Sequence, residues 1–327
     1  MSLPSAVRHM LSVLLLIPTA TFSATLVQKN PPVRPADANS PVLISDIDPK
    51  LAKSLPRNFR TTDDPLEVNT GVNTGQEIPA DTGLIDLRAS GGGEFTADGL
   101  KLLLGRTRGP VTIFDLRQET HIFVNGLPIS WFATHDWSNV GRTHNEIELD
   151  EAARVKSLKA GSKIVVHPGA GIKKPGVTSS APENVTVEHA SMEREVVEAN
   201  RAAYVRLTVT DHARPLDEEV DRFISAIRTL PENSWAHFHC EAGRGRTTTF
   251  MVLYDMLRNA THVSLNDIAR RQQLLGYDYD VLRPADPGNW KAPYTDDRIA
   301  FIRAFYDYAR ANPGGRPQLW SEWLKSG

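Results

Sequence analysis

Nine consecutive residues carry the types and spacing that could do chemistry: His239-Cys240-Glu241-Ala242-Gly243-Arg244-Gly245-Arg246-Thr247. A β-prone run, Trp235 to His239, ends at the cysteine, and a stretch with Phe250, Leu253, Tyr254 and Leu257 on one face begins after the arginine. The pattern predicts a strand, a tight loop and a helix. Gly243 and Gly245 allow a turn in which the backbone N–H groups of Glu241, Ala242, Gly243, Arg244 and Gly245 face inward. Such a concavity at a helix N-terminus binds a tetrahedral anion such as phosphate.

Each side chain suits that anion. The positive field that holds it also lowers the pKa of Cys240 below the roughly 8.5 of a free thiol, so a nucleophilic thiolate is expected. Arg246 can grip two oxygens at once and stabilise charge on the transferring group. Thr247 can donate its hydroxyl to the sulfur. His239 is expected to order the loop through backbone hydrogen bonds rather than to act as a base. Attack on phosphorus leaves a phosphocysteine that water later hydrolyses. This chemistry needs no cofactor, and no metal-ligand spacing occurs in the sequence. Cys240 is the one cysteine, and a lone cysteine is more often a small buried hydrophobe. Two glycines and an arginine in this order, on a strand–loop–helix, argue for catalysis instead.

An alkoxide leaving group requires a proton. Thr210-Asp211-His212-Ala213-Arg214-Pro215 lies between a predicted strand and a predicted helix, upstream of the cysteine. Asp211 is the candidate general acid, able to act next as the base for water. The competing reading is an aspartate in a polar turn.

The elements that must position these groups alternate. Val111 to Leu116, Tyr204 to Val209 and Trp235 to His239 read as strands. Helices are expected from a Thr96 N-cap to Gly105, from Asn145 to about Lys159, over the face Val220, Phe223, Ile224, Ile227 and Leu230, from a Ser264 cap to Gly276, and from about Asp296 to Ala311. The fold class is α/β with a central, mainly parallel sheet flanked by helices. From Gly161 to about Glu193, short β-prone pieces separated by Gly, Pro and Ser predict a small β-rich insertion, around 161–193.

The start of the chain differs. Arg8 and His9 precede the apolar run Leu11 to Ile17, with Thr21 and Ser23 beyond it, the pattern of a signal peptide over 1–23. Export to periplasm or medium is therefore expected. Residues 24–48 read as an extended arm, and 49–327 as the main domain. No later stretch approaches the ~20 apolar residues of a membrane-spanning helix. The formal net charge of −2, or −3 once Arg8 leaves with the leader, excludes general attraction to nucleic acid or acidic membranes. A polyanion must be met by a local basic pocket. The oligomeric state is not legible.

These residues resemble the cysteine phytases, inositol polyphosphate phosphatases on a protein-tyrosine-phosphatase-like fold. His239 to Thr247 match the family signature His-Cys-x5-Arg-Thr, and Thr248 to Met251 continue it. Thr210-Asp211-His212 matches the family's acid loop. Further likeness lies at Asp115 to Glu119, Asn125 to Trp131, Asp136-Trp137 and Trp320 to Ser326. The resemblance implies a partial β-barrel as the insertion and stepwise, metal-free removal of phosphates from myo-inositol hexakisphosphate. It also implies substrate contacts from Lys291 and Arg60, an aspartate near the pocket at Asp136, and a substrate-contacting or loop-steadying role for His212. Arg244 departs from the family pattern and adds a positive charge that favours a highly phosphorylated substrate. The loop alone does not separate this reading from a protein-tyrosine or phosphoinositide phosphatase. A phosphate-binding module without turnover would typically lack Cys240 or Arg246. A rhodanese-like sulfurtransferase would not need Arg246-Thr247 or a separate acid.

Overall fold

The structure is a computed structural model that describes residues 28–66, 78–173 and 181–326. The leader expected over 1–23 lies outside the described residues. In chain order the strands are β1 (Val42–Ser45), β2 (Arg60–Thr61), β3 (Ala89–Gly92), β4 (Val111–Asp115), β5 (His121–Val124) and β6 (Leu127–Phe132). They continue as β7 (Lys163–Pro168), β8 (Glu183–Thr186), β9 (Ala190–Ser191), β10 (Ala203–Arg206) and β11 (Trp235–His239). The helices are α1 (Ala97–Leu104), α2 (His144–Ser157), α3 (Gly169–Lys173), α4 (Glu193–Ala199) and α5 (Asp217–Arg228). After them come α6 (Gly245–Asn259), α7 (Leu265–Leu275), α8 (Ala292–Ala311) and α9 (Trp320–Ser326).

One sheet runs β10-β4-β11-β3-β2, parallel except where β2 joins β3. Its middle strand, β11, is buried along its whole length and delivers Cys240 at its C-terminal end. Loops at that end of a parallel sheet form the natural crevice of an α/β fold. Helix α6 leaves the loop and is buried nearly all round, from Arg246 through Leu257, as expected for a helix through the middle of a core. It packs close to β3 because that strand is Ala89-Ser90-Gly91-Gly92. A Cβ at Gly91 would meet Met251 Sδ at 2.5 Å and Thr247 Cγ2 at 2.8 Å. Phe223, Phe238, Phe250, Phe301 and Trp320 belong to the core cluster around α6.

The expected helices are all present. Thr96 accepts from Gly99 N and Ser264 from Asp267 N, each satisfying a donor of its helix's first turn. No helix among the described residues is long and apolar enough to cross a membrane.

The second sheet is wider than the expected insertion. Its order is β8-β7-β1-β6-β5-β9, so only three of its strands come from 161–193. β1 comes from the arm that reads as extended, pairing antiparallel with β6 and parallel with β7. Four residues, Val42-Leu43-Ile44-Ser45, leave too little periodicity to announce a strand, and partners distant in sequence create it. This sheet has its own apolar cluster around Ile122, Ile129, Trp131, Val166 and Val187.

Candidate active site

The loop after β11 is shaped from outside. Glu241 O accepts from Glu94 N at 2.9 Å, Ala242 O from Asn58 Nδ2 at 2.8 Å, and Gly243 O from an Arg60 Nη1 at 2.6 Å. With three successive carbonyls tied outward, the pocket side is left to the amides. Gly243 has φ +72°, and a Cβ there would lie 2.3 Å from the backbone of Gly92 and Gly93, so only glycine fits. Thr247 Oγ1 donates to Cys240 Sγ at 3.2 Å, with Gly92 O at the same distance.

Arg60 is a correction to the expected substrate contacts. It is 2% exposed and does not line the pocket. Its guanidinium is spent on Asn58 O, Gly243 O and Thr248 Oγ1, and burial pulls it down to about 10. Sequence shows that a charge exists but not that it is enclosed. His239 likewise departs from its expected role. Its ring pairs with Glu193 at 2.7 Å, and among the described residues it makes no hydrogen bond to the loop.

Arg246 opens α6 and is gripped from behind. Its two terminal nitrogens donate to Glu119 at 2.7 and 3.0 Å, a bidentate pair that fixes the plane of the guanidinium. Burial works against the Glu119 carboxylate, but Arg246 and Arg117 outweigh it and bring it down to about 2. Arg117 is itself held by Glu94 and Glu119, out of water. The Nε of Arg246 faces Asp211 Oδ1 at 3.1 Å, and Asp211 Oδ2 lies 3.0 Å from His212 Nε2. Burial would raise the Asp211 carboxyl, yet Arg246 and His212 hold it well below the usual carboxylate range.

Around Cys240 opens a cavity of about 560 Å³. Of the expected site residues, Asp136, Asp211, His212, Cys240, Glu241, Ala242, Arg244, Gly245, Arg246 and Lys291 line it. Gly243 and Thr247 support it from outside the lining, and His239 lies outside it, paired with Glu193. Sequence reasoning missed Lys173, Tyr279, Thr295 and Arg298, which also line it. Lys173, at the end of α3, ion-pairs with Asp46 at 3.0 Å, with Asp136 at 3.1 Å, and with Glu241. Burial would pull its ammonium down, and the three carboxylates raise it instead. Burial also raises Glu241 and Asp136, which crowd each other there. Among the described residues, Arg244, Lys291 and Arg298 have no carboxylate partner within 4.0 Å. Arg244 lies over Tyr279, and Lys291 over Trp290.

Behind the loop sits a second buried network. Asp115, Glu193 and His239 bring ligand-type atoms within 4.8 Å of one another. The oxygens of Asp115 already have donors: Arg117 N and Tyr204 OH by hydrogen bond, with Arg206 Nε at 3.1 Å. His121 Nε2 bridges Asp115 at 3.2 Å and Glu193 at 3.1 Å. The group is built as an ion-pair network that locks β4, β5, β10, β11 and α4 together.

Known structures place this geometry. A PTP-like phytase from Bdellovibrio bacteriovorus is 38% identical in sequence, with a TM-score of 0.69, and the match covers 90% of this chain and 98% of that one. This chain belongs to the PTP-like phytase family. The family model, described as inositol hexakisphosphate, matches residues 114–258, which include the Asp211 loop and the Cys240 loop. A PTP-like myo-inositol phosphatase from Mitsuokella multacida, solved with myo-inositol-(1,3,4,5)-tetrakisphosphate, is 35% identical with a TM-score of 0.77. It is matched over 87% of this chain and 49% of its own. The effector protein hopD2 of Pseudomonas syringae pv. tomato is 35% identical over 272 residues, 81% of this chain and 56% of that protein. The chain thus spans about half the length of these last two proteins.

Proposed function

We propose that this chain is a cysteine-dependent phosphomonoesterase acting on polyphosphorylated myo-inositol, with the hexakisphosphate as the starting substrate. The observation that carries the reading is charge. Arg244, Lys291 and Arg298, none with a carboxylate partner among the described residues, converge on the cavity headed by Cys240. One phosphate occupies the loop, and the other phosphates of the same ring meet these cations.

In this mechanism the loop amides and Arg246 hold the scissile phosphate, and Thr247 steadies the sulfur. The Cys240 thiolate attacks phosphorus as the P–O bond to the ring breaks. Asp211 gives its proton to the departing oxygen. Water then attacks the phosphocysteine with Asp211 as base, and phosphate leaves. Repetition at other positions gives stepwise release. Charge on the transferring group is met by Arg246 and the loop amides, so the reaction runs without a metal ion. Export by the leader completes the proposal.

The test is phosphate release with a chelator present, from inositol hexakisphosphate and from a phosphotyrosine peptide, by wild type and Cys240→Ser. Release from the inositol compound, lost in the variant and indifferent to chelator, is the expected result. Turnover of the peptide alone would move the chain to the tyrosine phosphatases. A Cys240→Ser protein that keeps its activity would end the mechanism.

A further inference from the structure

The acid loop is not free-standing. Asp211 precedes His212, whose φ of +66° lies in the left-handed region that costs a non-glycine residue free energy. Something must hold the backbone there. Trp137, 4% exposed, donates its indole Nε1 to Asp211 O at 2.9 Å. Among the described residues this is the one side-chain hydrogen bond to that carbonyl. Trp137 is itself boxed by rings: Tyr294 at 5.3 Å, Trp290 at 5.9 Å and His135 at 4.9 Å between centroids. His212 meets Trp290 edge-on at 5.1 Å, so the two residues of the acid pair lean on one aromatic wall.

The segment that delivers Trp137 is strained too. His135 and Asp136 have φ of +65° and +63°. Two residues of the N-terminal arm grip this segment from either side. Asp37 Oδ2 accepts from Thr134 N at 2.9 Å and from Thr134 Oγ1 at 3.0 Å. Arg34 Nε donates to Ser138 O at 2.9 Å. The arm therefore spans the strained turn, and the turn's next residue holds the acid.

We propose that Trp137 is a positioning residue for the general acid Asp211, and that the N-terminal arm, through Asp37 and Arg34, sets the turn from which Trp137 reaches it. The inference rests on the reading of Asp211 as the acid. As the ester P–O bond breaks, its electron pair goes to the leaving oxygen, which takes the Asp211 proton; the indole fixes where that proton stands. A misplacement of about 1 Å can cost a rate factor of about 100. A leaving group that departs as a stable anion needs no proton and feels little of this.

The test compares inositol hexakisphosphate, a poor leaving group, with 2,4-dinitrophenyl phosphate, a good one. Trp137→Phe keeps the ring and loses the donor. Its kcat on the inositol compound is expected to fall about 10- to 100-fold with KM within about threefold, and on the aryl ester to fall less than about twofold. In an Asp211→Asn background the same substitution costs nothing further. Asp37→Ala gives the same selective loss at smaller size, and Asp37→Asn, which keeps an acceptor, restores most of it. Equal losses on both substrates, or a full loss persisting with Asp211→Asn, overturn the role of Trp137. An Asp37→Ala protein as active as wild type on both overturns the role of the arm. Should Trp137→Phe lose its fold, the Asp37 pair decides the proposal alone: selective loss with Asn rescue supports it, and its absence overturns it. A wild type inert toward the inositol compound but active on the aryl ester defeats the proposed substrate, and a series of aryl phosphates of rising leaving-group pKa still measures the proton dependence of each variant.

Discussion

Asp211 Oδ1 stands 3.1 Å from Arg246 Nε, on the guanidinium that the mechanism assigns to phosphate. Asp211 is therefore ionised in the free protein, because Arg246 and His212 outweigh the effect of burial. The mechanism proposed above asks this group to donate a proton, yet it is held in the state that has none. Phosphate resolves the conflict. A dianion on Arg246 competes for the guanidinium and repels the carboxylate, and both effects raise the Asp211 pKa.

The first prediction follows from that exchange. In Cys240→Ser protein, the Asp211 carboxyl should titrate well below the usual carboxylate range when free, and at least about one unit higher with inorganic phosphate bound. Carbon NMR of labelled aspartate carboxyls, with Asp211→Asn to assign the signal, makes the measurement. An unmoved titration would mean that substrate does not recruit the acid in this way.

A second prediction concerns Lys173, the cation shared by Asp46, Asp136 and Glu241. Lys173→Met takes the shared cation from three clustered carboxyls and leaves only the more distant Arg57, 3.9 Å from Glu241, a loss on the order of 3–5 kcal/mol at neutral pH. Burial already raises Glu241 and Asp136, and without the lysine they rise further. An acid whose folded pKa is raised favours the fold below its unfolded value and loses that contribution as pH climbs through the folded one. The deficit of the variant should thus be largest above neutrality and shrink toward pH 5. Urea unfolding at two pH values checks it, and a deficit that grows on acidification would contradict the cluster's charge assignment.

What was readable in the sequence was local. His239 to Thr247 announced strand, loop and helix because the glycines, the cysteine and the arginine lie side by side, and β11 has the bounds expected of it. Asp211 was readable for the same reason, as a carboxylate in a loop between two clear elements. Lys173 was not, because α3 gains its meaning only when the second sheet brings it to Asp46 from the arm and Glu241 from the loop. Glu119 lay inside a segment whose family likeness was plain, yet its grip on Arg246 depends on the ends of two neighbouring strands meeting. Arg60 shows the limit from the other side: type and position suggested a ligand contact, whereas burial makes it a brace.

That brace gives a third prediction. Arg60→Met removes the donors to Gly243 O and Thr248 Oγ1 and leaves a loop carbonyl unpaired, costing about 3 kcal/mol. Stability and kcat should fall together, with KM moving less. Arg60→Lys keeps the charge but not the fork, and should recover only part of either. Chemical denaturation beside steady-state kinetics measures both. A variant of normal stability whose sole defect is a raised KM would return Arg60 to the substrate site.

The last prediction lies in the network behind the nucleophile. Burial and Arg117 push the His121 imidazole down, and the paired Asp115 carboxylate outweighs them, raising it to about 10. The unfolded chain binds this proton only below about 6.5. His121 therefore contributes its full stabilisation below that value and loses it as pH rises from there through about 10. Replacement by Gln, which has no proton to lose, should remove this slope. Wild type and His121→Gln should differ most at pH 6 and converge toward pH 10, in unfolding free energies taken by urea at each pH. A difference that stays constant across that range would show that His121 is not held as an imidazolium between Asp115 and Glu193, and the network would then owe its cohesion to Arg206, Tyr204 and Arg117 on Asp115 and to His239 on Glu193.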